Sequence, residues 1–357
     1  MKQHFSLLAV VAIATASLFI SCKKDPDTKP RPEAVYNAYV LNEGNWGGNN
    51  ASLSLMSTAD GSIKNGHFAA VNGRGLGDQA QDIKLYGSKM YVTVTESKTL
   101  EVINPATGAS ISQITLSGGP RSMVCHNGKI YVSCYNKTVV KIDTTSLQLE
   151  GSCRLTGLRP EQMAIVGNNL YVVNSYERDA AGNSVYDSTL SVVDLSSFTE
   201  IGKITVGVNP IRVKALDDRR LVVSYNGDYS PAIPAGAVIV EPTTPSTATI
   251  TALPVALSNF VISGNNIYGY TTVYDATGNP STQIFQIDAS TLQATRILEA
   301  YGAELNNTYG IDIDTSGNLY VCNGPYRELG DVYCFNANHT KLWNTEAGHL
   351  PSHIVFF

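Results

Sequence analysis

The fold is decided by a short stretch that reads Ser122-Met-Val-Cys-His-Asn-Gly-Lys-Ile-Tyr-Val132. Asn127-Gly128 separates two apolar runs, and Asn-Gly between such runs is a hairpin signal because its turn needs positive φ. The same arrangement returns at 162–172 and again at 310–321. Each copy therefore predicts two antiparallel strands joined by a tight turn.

The tyrosine near the end of this motif marks a repeat along the chain. Equivalent positions follow one another about every 40 to 52 residues, at Tyr39, Tyr91, Tyr131, Tyr171, Leu221, Tyr268 and Tyr320. A third and a fourth strand follow each copy, and a turn ending in proline closes several of the units, because proline fixes φ and ends a strand. A period of this length with four short strands is typical of a β-propeller.

Seven copies predict seven blades, and the two ends of the chain predict how the ring closes. Residues 350–357 match the first strand of a unit without its second, and 36–41 match a second strand without its first. Joining them makes one blade from both termini. We therefore expect an all-β, seven-bladed β-propeller with four antiparallel strands per blade, spanning residues 34–357.

Composition excludes several classes of protein. Only 15% of the 357 residues are charged, against about a quarter in an average soluble domain, and 43% are apolar. This argues against a disordered chain or a coiled coil. The formal net charge is −5, with 25 basic and 30 acidic residues and no basic cluster in the repeat. Nucleic acid is therefore not an expected partner.

The N-terminus is predicted to be a targeting segment rather than part of the fold. Lys2 precedes an apolar run over 5–20 that is too short for a typical membrane span. Cys22 follows directly and resembles the lipidated cysteine of bacterial lipoproteins. We expect a signal peptide at 1–21, a lipid on Cys22 and an extended Pro-rich, charged tether at 22–33, hence an outer-membrane, lipid-anchored and surface-exposed protein. A plain secretory peptide is the alternative.

Aromatic residues concentrate on one face of the predicted ring. The loops between second and third strands share that face with the connections between blades, and we name it the top face. These loops carry eight aromatic side chains: Trp46, Tyr135, Tyr176, Tyr186, Tyr225, Tyr229, Tyr274 and Tyr326. Such a set suits a large, partly planar polar ligand or a protein partner, although tyrosines in propeller loops also pack on their own blades.

The start of each inner strand should line the mouth of the central channel on the same face. The residues expected there are Gln81, Arg121, Gln162, Arg212, Asn259, Tyr309 and His353. They include no acidic pair, although Glu43, Asp82 and Glu161 lie nearby. This mixture favours a binding mouth over an acid–base site, and we predict no cofactor and no metal.

Motifs for catalysis are absent from the sequence. It contains no GxSxG, HExxH or P-loop pattern, so we expect no enzyme activity. The five cysteines beyond Cys22 cannot form a complete disulfide framework. Cys322 and Cys334 are candidates for one disulfide across a hairpin, and the others are expected to be buried thiols.

The repeat with its Tyr-Val strands resembles the YncE-like seven-bladed propellers over essentially the whole mature chain. Two stretches, 39–54 and 72–82, together with the lipoprotein leader resemble the surface layer protein group of Bacteroides-type surface lipoproteins. One branch of that group captures cobalamin across the top face and passes it to a TonB-dependent outer-membrane transporter. The resemblance therefore implies cobalamin as ligand and such a transporter as partner.

Three functions remain open on the sequence alone. The first is capture of a corrinoid by a non-catalytic, monomeric, lipid-anchored propeller. The second is a surface scaffold or adhesion module whose top face binds a protein or glycan. The third is a metal-dependent, lactonase-like hydrolase, which requires several acidic residues converging on the channel.

Overall fold

Seven four-stranded antiparallel sheets are arranged around a central channel in the computed structural model, which describes residues 34–357. In each sheet the first strand, A, is innermost, and strands B, C and D follow outwards. The chain is thus a seven-bladed β-propeller, as the repeat predicts. The predicted signal peptide, Cys22 and the tether lie outside the described residues.

Blade 1 combines the two ends of the chain. Its A to D strands are Pro351–Phe356, Ala38–Asn42, Ser52–Met56 and Ile63–Lys64. The strands of blade 2 are Ala80–Tyr86, Lys89–Val94, Thr99–Ile103 and Ser110–Thr115. Those of blade 3 are Pro120–His126, Lys129–Cys134, Thr138–Asp143 and Leu149–Arg154. Those of blade 4 are Pro160–Val166, Asn169–Asn174, Thr189–Asp194 and Thr199–Thr205.

The remaining blades follow the same order. The strands of blade 5 are Pro210–Ala215, Leu221–Tyr225, Gly236–Thr244 and Thr247–Ala252. Those of blade 6 are Asn259–Ser263, Asn266–Tyr274, Pro280–Asp288 and Ala294–Ile297. Those of blade 7 are Thr308–Ile313, Leu319–Asn323, Asp331–Phe335 and Lys341–Glu346. A small hairpin of Tyr176–Arg178 and Ser184–Tyr186 extends the B–C loop of blade 4.

Two short helices lie in connections between blades. The α-helix His67–Asn72 precedes blade 2, and the 3-10 helix Glu299–Tyr301 precedes blade 7. Neither helix is predicted from the sequence. His67–Asn72 has six residues and no side-chain cap at Gly66, so it carries none of the usual start signals of a helix. Among the described residues, no helix is long and apolar enough to span a membrane.

Strand register corrects one position of the predicted repeat. In blade 2, Tyr91 pairs with Lys84 of the inner strand, and the equivalent inner residue of blade 5, Lys214, pairs with Val222. The repeat position in blade 5 is therefore Val222, one residue after the predicted Leu221. Blade 5 has no tyrosine to mark the position, and its A–B turn is longer than the two-residue turns of its neighbours.

The closing blade is held by backbone pairing and by its neighbour. Val40 pairs with Ile354 across the two termini, and the Phe357 ring stacks on Tyr39 at 5.3 Å between centroids. From blade 7, Asp312 Oδ2 accepts a hydrogen bond from the Ile354 N–H at 2.8 Å. The apolar faces of neighbouring sheets pack together to form the core between blades.

All five cysteines within residues 34–357 are free thiols. Cys322 pairs with Val332, and Cys334 pairs with Tyr320. The two cysteines proposed for a disulfide are thus diagonal neighbours on the B and C strands of blade 7 and do not face each other. Both are fully buried within one apolar cluster, where a thiol packs as a small apolar group.

Candidate functional site on the top face

The predicted channel residues lie on two levels of the inner strands, because they do not occupy one equivalent position of the repeat. Gln81, Arg121 and Tyr309 directly follow the opening residues of their strands, where a β-bulge lies, and they form the upper level. The lower level lies one residue further along the repeat and consists of Gln162, Arg212, Asn259 and His353. Only the strand pairing shows that the seven residues do not form a single ring.

A buried carboxylate organises the upper level. Glu43 is 6% exposed, and one of its oxygens accepts a 2.5 Å hydrogen bond from the Tyr309 hydroxyl. The Gln81 side-chain amide donates to the other oxygen. Burial raises the pKa of Glu43, and the positive charge of Arg121 opposes that rise. Glu43 therefore fixes two of the predicted ligand-binding side chains at the channel mouth.

Two arginines and two tyrosines form a second group beside the mouth, which we name the Arg–Tyr cluster: Arg121, Tyr135, Arg159 and Tyr176. The Arg159 guanidinium lies 3.8 Å from the Tyr135 ring centroid and 5.4 Å from that of Tyr176. Arg121 lies 5.2 Å from the Tyr135 centroid, and its Nε donates to Glu161 at 2.7 Å. The Arg159 Nε is buried without a hydrogen-bond partner within residues 34–357.

Further tyrosines continue the Arg–Tyr cluster towards blade 5. Tyr186 lies 5.9 Å from Tyr176 and 6.3 Å, edge to face, from Tyr229. Tyr229 is 71% exposed, and its hydroxyl accepts a hydrogen bond from the Asn226 amide at 3.2 Å. Tyr176, Tyr186 and Tyr229 thus form a row of aromatic rings at the surface, where a planar ligand can contact them.

A cleft of about 290 Å³ opens on the other side of the mouth, between blades 1, 6 and 7. Its walls include Glu43, Tyr274, Tyr309 and Tyr326. Tyr274 and Tyr326 are 69% and 59% exposed, and Trp46 in the neighbouring loop is 68% exposed. The Trp46 loop is tied to the Tyr326 loop, since the Asn45 amide donates to the Tyr326 carbonyl. Three exposed aromatic side chains therefore belong to adjoining loops.

Two of the predicted site residues are engaged in the fold. The Tyr225 ring lies over Gly207 and Gly236, which leave the space that it fills. Asn259 is 2% exposed, and its Oδ1 accepts the N–H of Phe260 at 2.8 Å. Both side chains have structural contacts that account for their positions.

The remaining lower-level residues face the channel below the mouth. Gln162 and His353 line a cavity that continues towards the bottom face. The Arg212 Nε has no hydrogen-bond partner among the described residues. Burial lowers the pKa of His353 to about 3, so its imidazole is neutral at physiological pH.

Sequence reasoning misses Arg159 as a site residue and gives Glu43 and Glu161 no contacts. In the sequence, Arg159-Pro160-Glu161 looks like an ordinary turn between two blades, although its two charged residues flank the proline on the top face. Charged residues beside such a proline are the signal that could have identified them. Within residues 34–357, no group of three or more His, Cys, Asp or Glu side chains is placed to hold a metal ion.

Comparison with known proteins identifies the class of fold. No protein-family model and no curated protein matches the chain. The chain is similar to a solved structure of Kuenenia stuttgartiensis hydrazine synthase, with TM-score 0.58, 15% identity, and 71% of this chain and 74% of that chain covered.

Two other solved structures show the same likeness. A chain of the mitotic checkpoint complex gives TM-score 0.53 and 12% identity, with 74% of this chain and 77% of that chain covered. The computationally designed Ika8 protein gives 0.53 and 10%, with 76% and 88% covered. At such low identities these likenesses show a β-propeller fold and nothing about function.

Proposed function

We propose that this propeller is a non-catalytic binding protein whose top face captures one large, partly planar polar ligand, and that the ligand is a corrinoid such as cobalamin. The observation that carries the proposal is the Arg–Tyr cluster beside the channel mouth. There the Arg159 guanidinium stacks 3.8 Å from Tyr135 while its Nε has no hydrogen-bond partner among the described residues. A stacked arginine with a free donor suits a ligand that carries both a flat face and oxygen acceptors.

The chemistry of a corrinoid matches the two sides of the mouth. Its macrocycle offers a broad, flat surface to the exposed rings of Tyr229, Tyr274 and Trp46. Its peripheral amides match the arginine donors and the Gln81 amide. The 290 Å³ cleft is smaller than the 300–1,000 Å³ of common small-molecule sites, so such a ligand would lie across the face with only an edge in the cleft.

The fixed mouth would reduce the entropic cost of binding. Glu43 already holds Tyr309 and Gln81, and the Glu161 carboxylate already holds Arg121. Side chains ordered before the ligand arrives lose less freedom when it binds. In this proposal Cys22 anchors the protein to the outer membrane, and the ligand passes on to a TonB-dependent transporter.

A second candidate function rests on exposure alone. Trp46, Tyr229, Tyr274 and Tyr326 are each at least 59% exposed, and exposed aromatic residues are common at protein interfaces. A protein or glycan partner on the same face would make the propeller a surface scaffold. A defined one-to-one stoichiometry with a small molecule favours capture over this alternative.

Calorimetric titration of residues 34–357 with cyanocobalamin tests the proposal. We expect one-to-one binding that the double variant Trp46→Ala, Tyr229→Ala weakens at least tenfold. The matched control is Leu149→Ala, Leu342→Ala, which removes two side chains, 55% and 52% exposed, from outermost strands, and we expect it to bind like the wild type. Absence of binding at high micromolar ligand would refute the corrinoid and leave the scaffold function.

A further inference from the structure

The lower half of the channel contains a second cavity, distinct from the top-face site. It is an open cavity of about 540 Å³ that extends from Gln162 and His353 down to His126 and Gly167 near the bottom turns. Its volume lies within the range of small-molecule sites. We name it the lower channel cavity.

Two lysines at equivalent positions of the inner strands line this cavity. Lys84 and Lys214 occupy the register position that pairs with the B-strand repeat residue. The same position holds Val124 in blade 3, Ala164 in blade 4 and Asp312 in blade 7. Because the fold accepts a small apolar residue there, the propeller does not need a lysine at this level.

The carboxylates closest to these lysines, Asp82 and Asp312, are already hydrogen-bonded to neighbouring blades. Asp82 Oδ2 accepts hydrogen bonds from the Ser122 hydroxyl and the Met123 N–H, both at 2.8 Å. Asp312 accepts the N–H of Ile354 at 2.8 Å. Each carboxylate thus joins its blade to the next one, and neither belongs to the cavity lining.

The ammonium groups, in contrast, keep unused donors. Lys84 has one ion-pair partner, Asp82, at 3.1 Å, which leaves donors of its three N–H groups free. Lys214 forms no hydrogen bond or salt bridge within the described residues, and burial lowers its pKa to about 8.

Lys84 and Lys214 thus present unused ammonium donors to one cavity whose lining contains no carboxylate. We propose that the lower channel cavity binds an organic carboxylate, with the anionic head between the ammonium groups of Lys84 and Lys214. A charge-assisted hydrogen bond from ammonium to carboxylate is stronger than one between neutral groups.

The residues of the cavity wall indicate what the rest of the ligand is like. Met123, Val124, Met163, Ile165 and Val213 line the cavity around the lysines. Apolar walls favour a molecule with a hydrocarbon portion, because burying that portion is favourable, whereas a fully hydrated inorganic anion would lose its water without compensation. The class is therefore an amphipathic monocarboxylate rather than phosphate or sulfate.

Calorimetry on residues 34–357 with sodium octanoate at pH 7 tests this inference, with 1-octanol as the uncharged probe of the same chain length. We expect one-to-one binding of octanoate and at least tenfold weaker binding of octanol. Lys214→Met should weaken octanoate at least tenfold without altering octanol. Lys203→Met, a lysine on an outermost strand away from the cavity lining, is the matched control and should bind like the wild type.

A second variant keeps the test independent of Lys214. Ala215 lines the cavity and is exposed, so Ala215→Glu should fold and should weaken octanoate several-fold by charge repulsion. Equal affinity for octanoate and octanol, or an unchanged affinity in Lys214→Met, would overturn the inference. So would the absence of octanoate binding at about 5 mM. The top-face variant Trp46→Ala, Tyr229→Ala should bind octanoate normally, which separates this result from that of the corrinoid titration.

Discussion

The two ends of the central channel use charged residues in opposite ways. At the top, Arg121 is neutralised by Glu161 of the next blade at 2.7 Å. In the lower channel, the acidic Asp82 accepts backbone and hydroxyl donors of the next blade, while Lys214 has no such partner within residues 34–357. Acids therefore serve as joints between blades at both ends, whereas Lys214 in the lower channel stays available for a ligand.

The geometry of the inner strand explains this division. An inner strand pairs with a neighbour on one side only, so some of its N–H groups point towards the channel or the next blade without a strand to bind them. A carboxylate can accept these N–H groups, as Asp82 and Asp312 do. A lysine has only donors and cannot perform this task.

The strongest test of the comparison removes one of the acidic joints. Asp82→Asn removes the partner charge of Lys84 and replaces one acceptor oxygen by an amide donor facing other donors. Because Asp82 is 3% exposed and accepts two buried hydrogen bonds, we expect a loss of about 2–4 kcal/mol in the free energy of unfolding, measured by urea denaturation.

Asp218→Asn is the matched control, since that carboxylate is exposed, and it should change stability by less than about 0.5 kcal/mol. The contribution of Asp82 to the stability of the wild-type protein should also depend on pH in a defined direction. Although burial opposes it, Lys84 and the Met123 N–H lower the pKa of Asp82 in the folded state. Its contribution is present above the ordinary carboxyl pKa and is lost as the pH falls through the lowered value. If Asp82→Asn were as stable as Asp218→Asn, the hydrogen bonds of Asp82 would not be what holds blades 2 and 3 together.

The second test should increase the stability of the protein instead of decreasing it. Lys214→Met should raise the free energy of unfolding at pH 7 by about 1–3 kcal/mol, because an apolar side chain replaces a poorly compensated buried ammonium. Burial lowers the pKa of Lys214 to about 8, with Asp312 opposing and Lys84 and Arg212 assisting.

The destabilising effect of the charged Lys214 is complete below pH 8 and fades towards its ordinary pKa of about 10.4. The advantage of the variant should therefore shrink when the unfolding measurements are repeated at pH 9.5. A variant less stable than the wild type at pH 7 would mean that Lys214 is a structural residue. Such a result would remove the contrast between acids and cations.

The sequence could predict the ring because the signals of the fold are local. Asn127-Gly128 and the following Tyr131 suffice for a hairpin, and Pro160 and Pro210 mark the starts of inner strands. The levels within the channel were not predicted, because only the strand pairing shows which inner-strand positions are equivalent. Gln162 and His353 lie two residues after the prolines that open their strands, whereas Arg121 lies one residue after Pro120. Gln162 and His353 therefore lie lower in the channel than expected, although both are inner-strand residues as predicted.

The contacts of the top face were less predictable for a similar reason. Arg159 has a φ of 30° in a turn that has no periodic pattern, and its stacking on Tyr135 joins two blades. Tyr225 and Tyr229 are four residues apart, yet one fills a space over glycines and the other is 71% exposed. Only tertiary packing distinguishes them, so sequence composition assigns both to the surface.

A third test compares two ion pairs of different burial. Glu161→Gln should cost about 1–2 kcal/mol, because the carboxylate and its Arg121 partner are only 13% and 22% exposed. Glu241→Gln is the control, since its pair with Arg219 spans 3.6 Å and is 41% and 71% exposed. Exposed pairs contribute at most about 1 kcal/mol. Equal effects of the two substitutions in urea denaturation would show that the charges at the channel mouth are solvated like an ordinary surface.

The smallest effect on stability is expected where the proposed ligand contacts are most exposed. Trp46→Ala, Tyr229→Ala should change the free energy of unfolding by about 0.5 kcal/mol, because both rings already lie mostly in solvent. Tyr225→Ala should cost about 3 kcal/mol, since it empties the space over Gly207 and Gly236. Urea denaturation of both variants distinguishes them. If the double variant lost as much stability as Tyr225→Ala, its weaker ligand binding would reflect damage to the loops. Trp46 and Tyr229 would then be packing residues like Tyr225 rather than exposed ligand contacts.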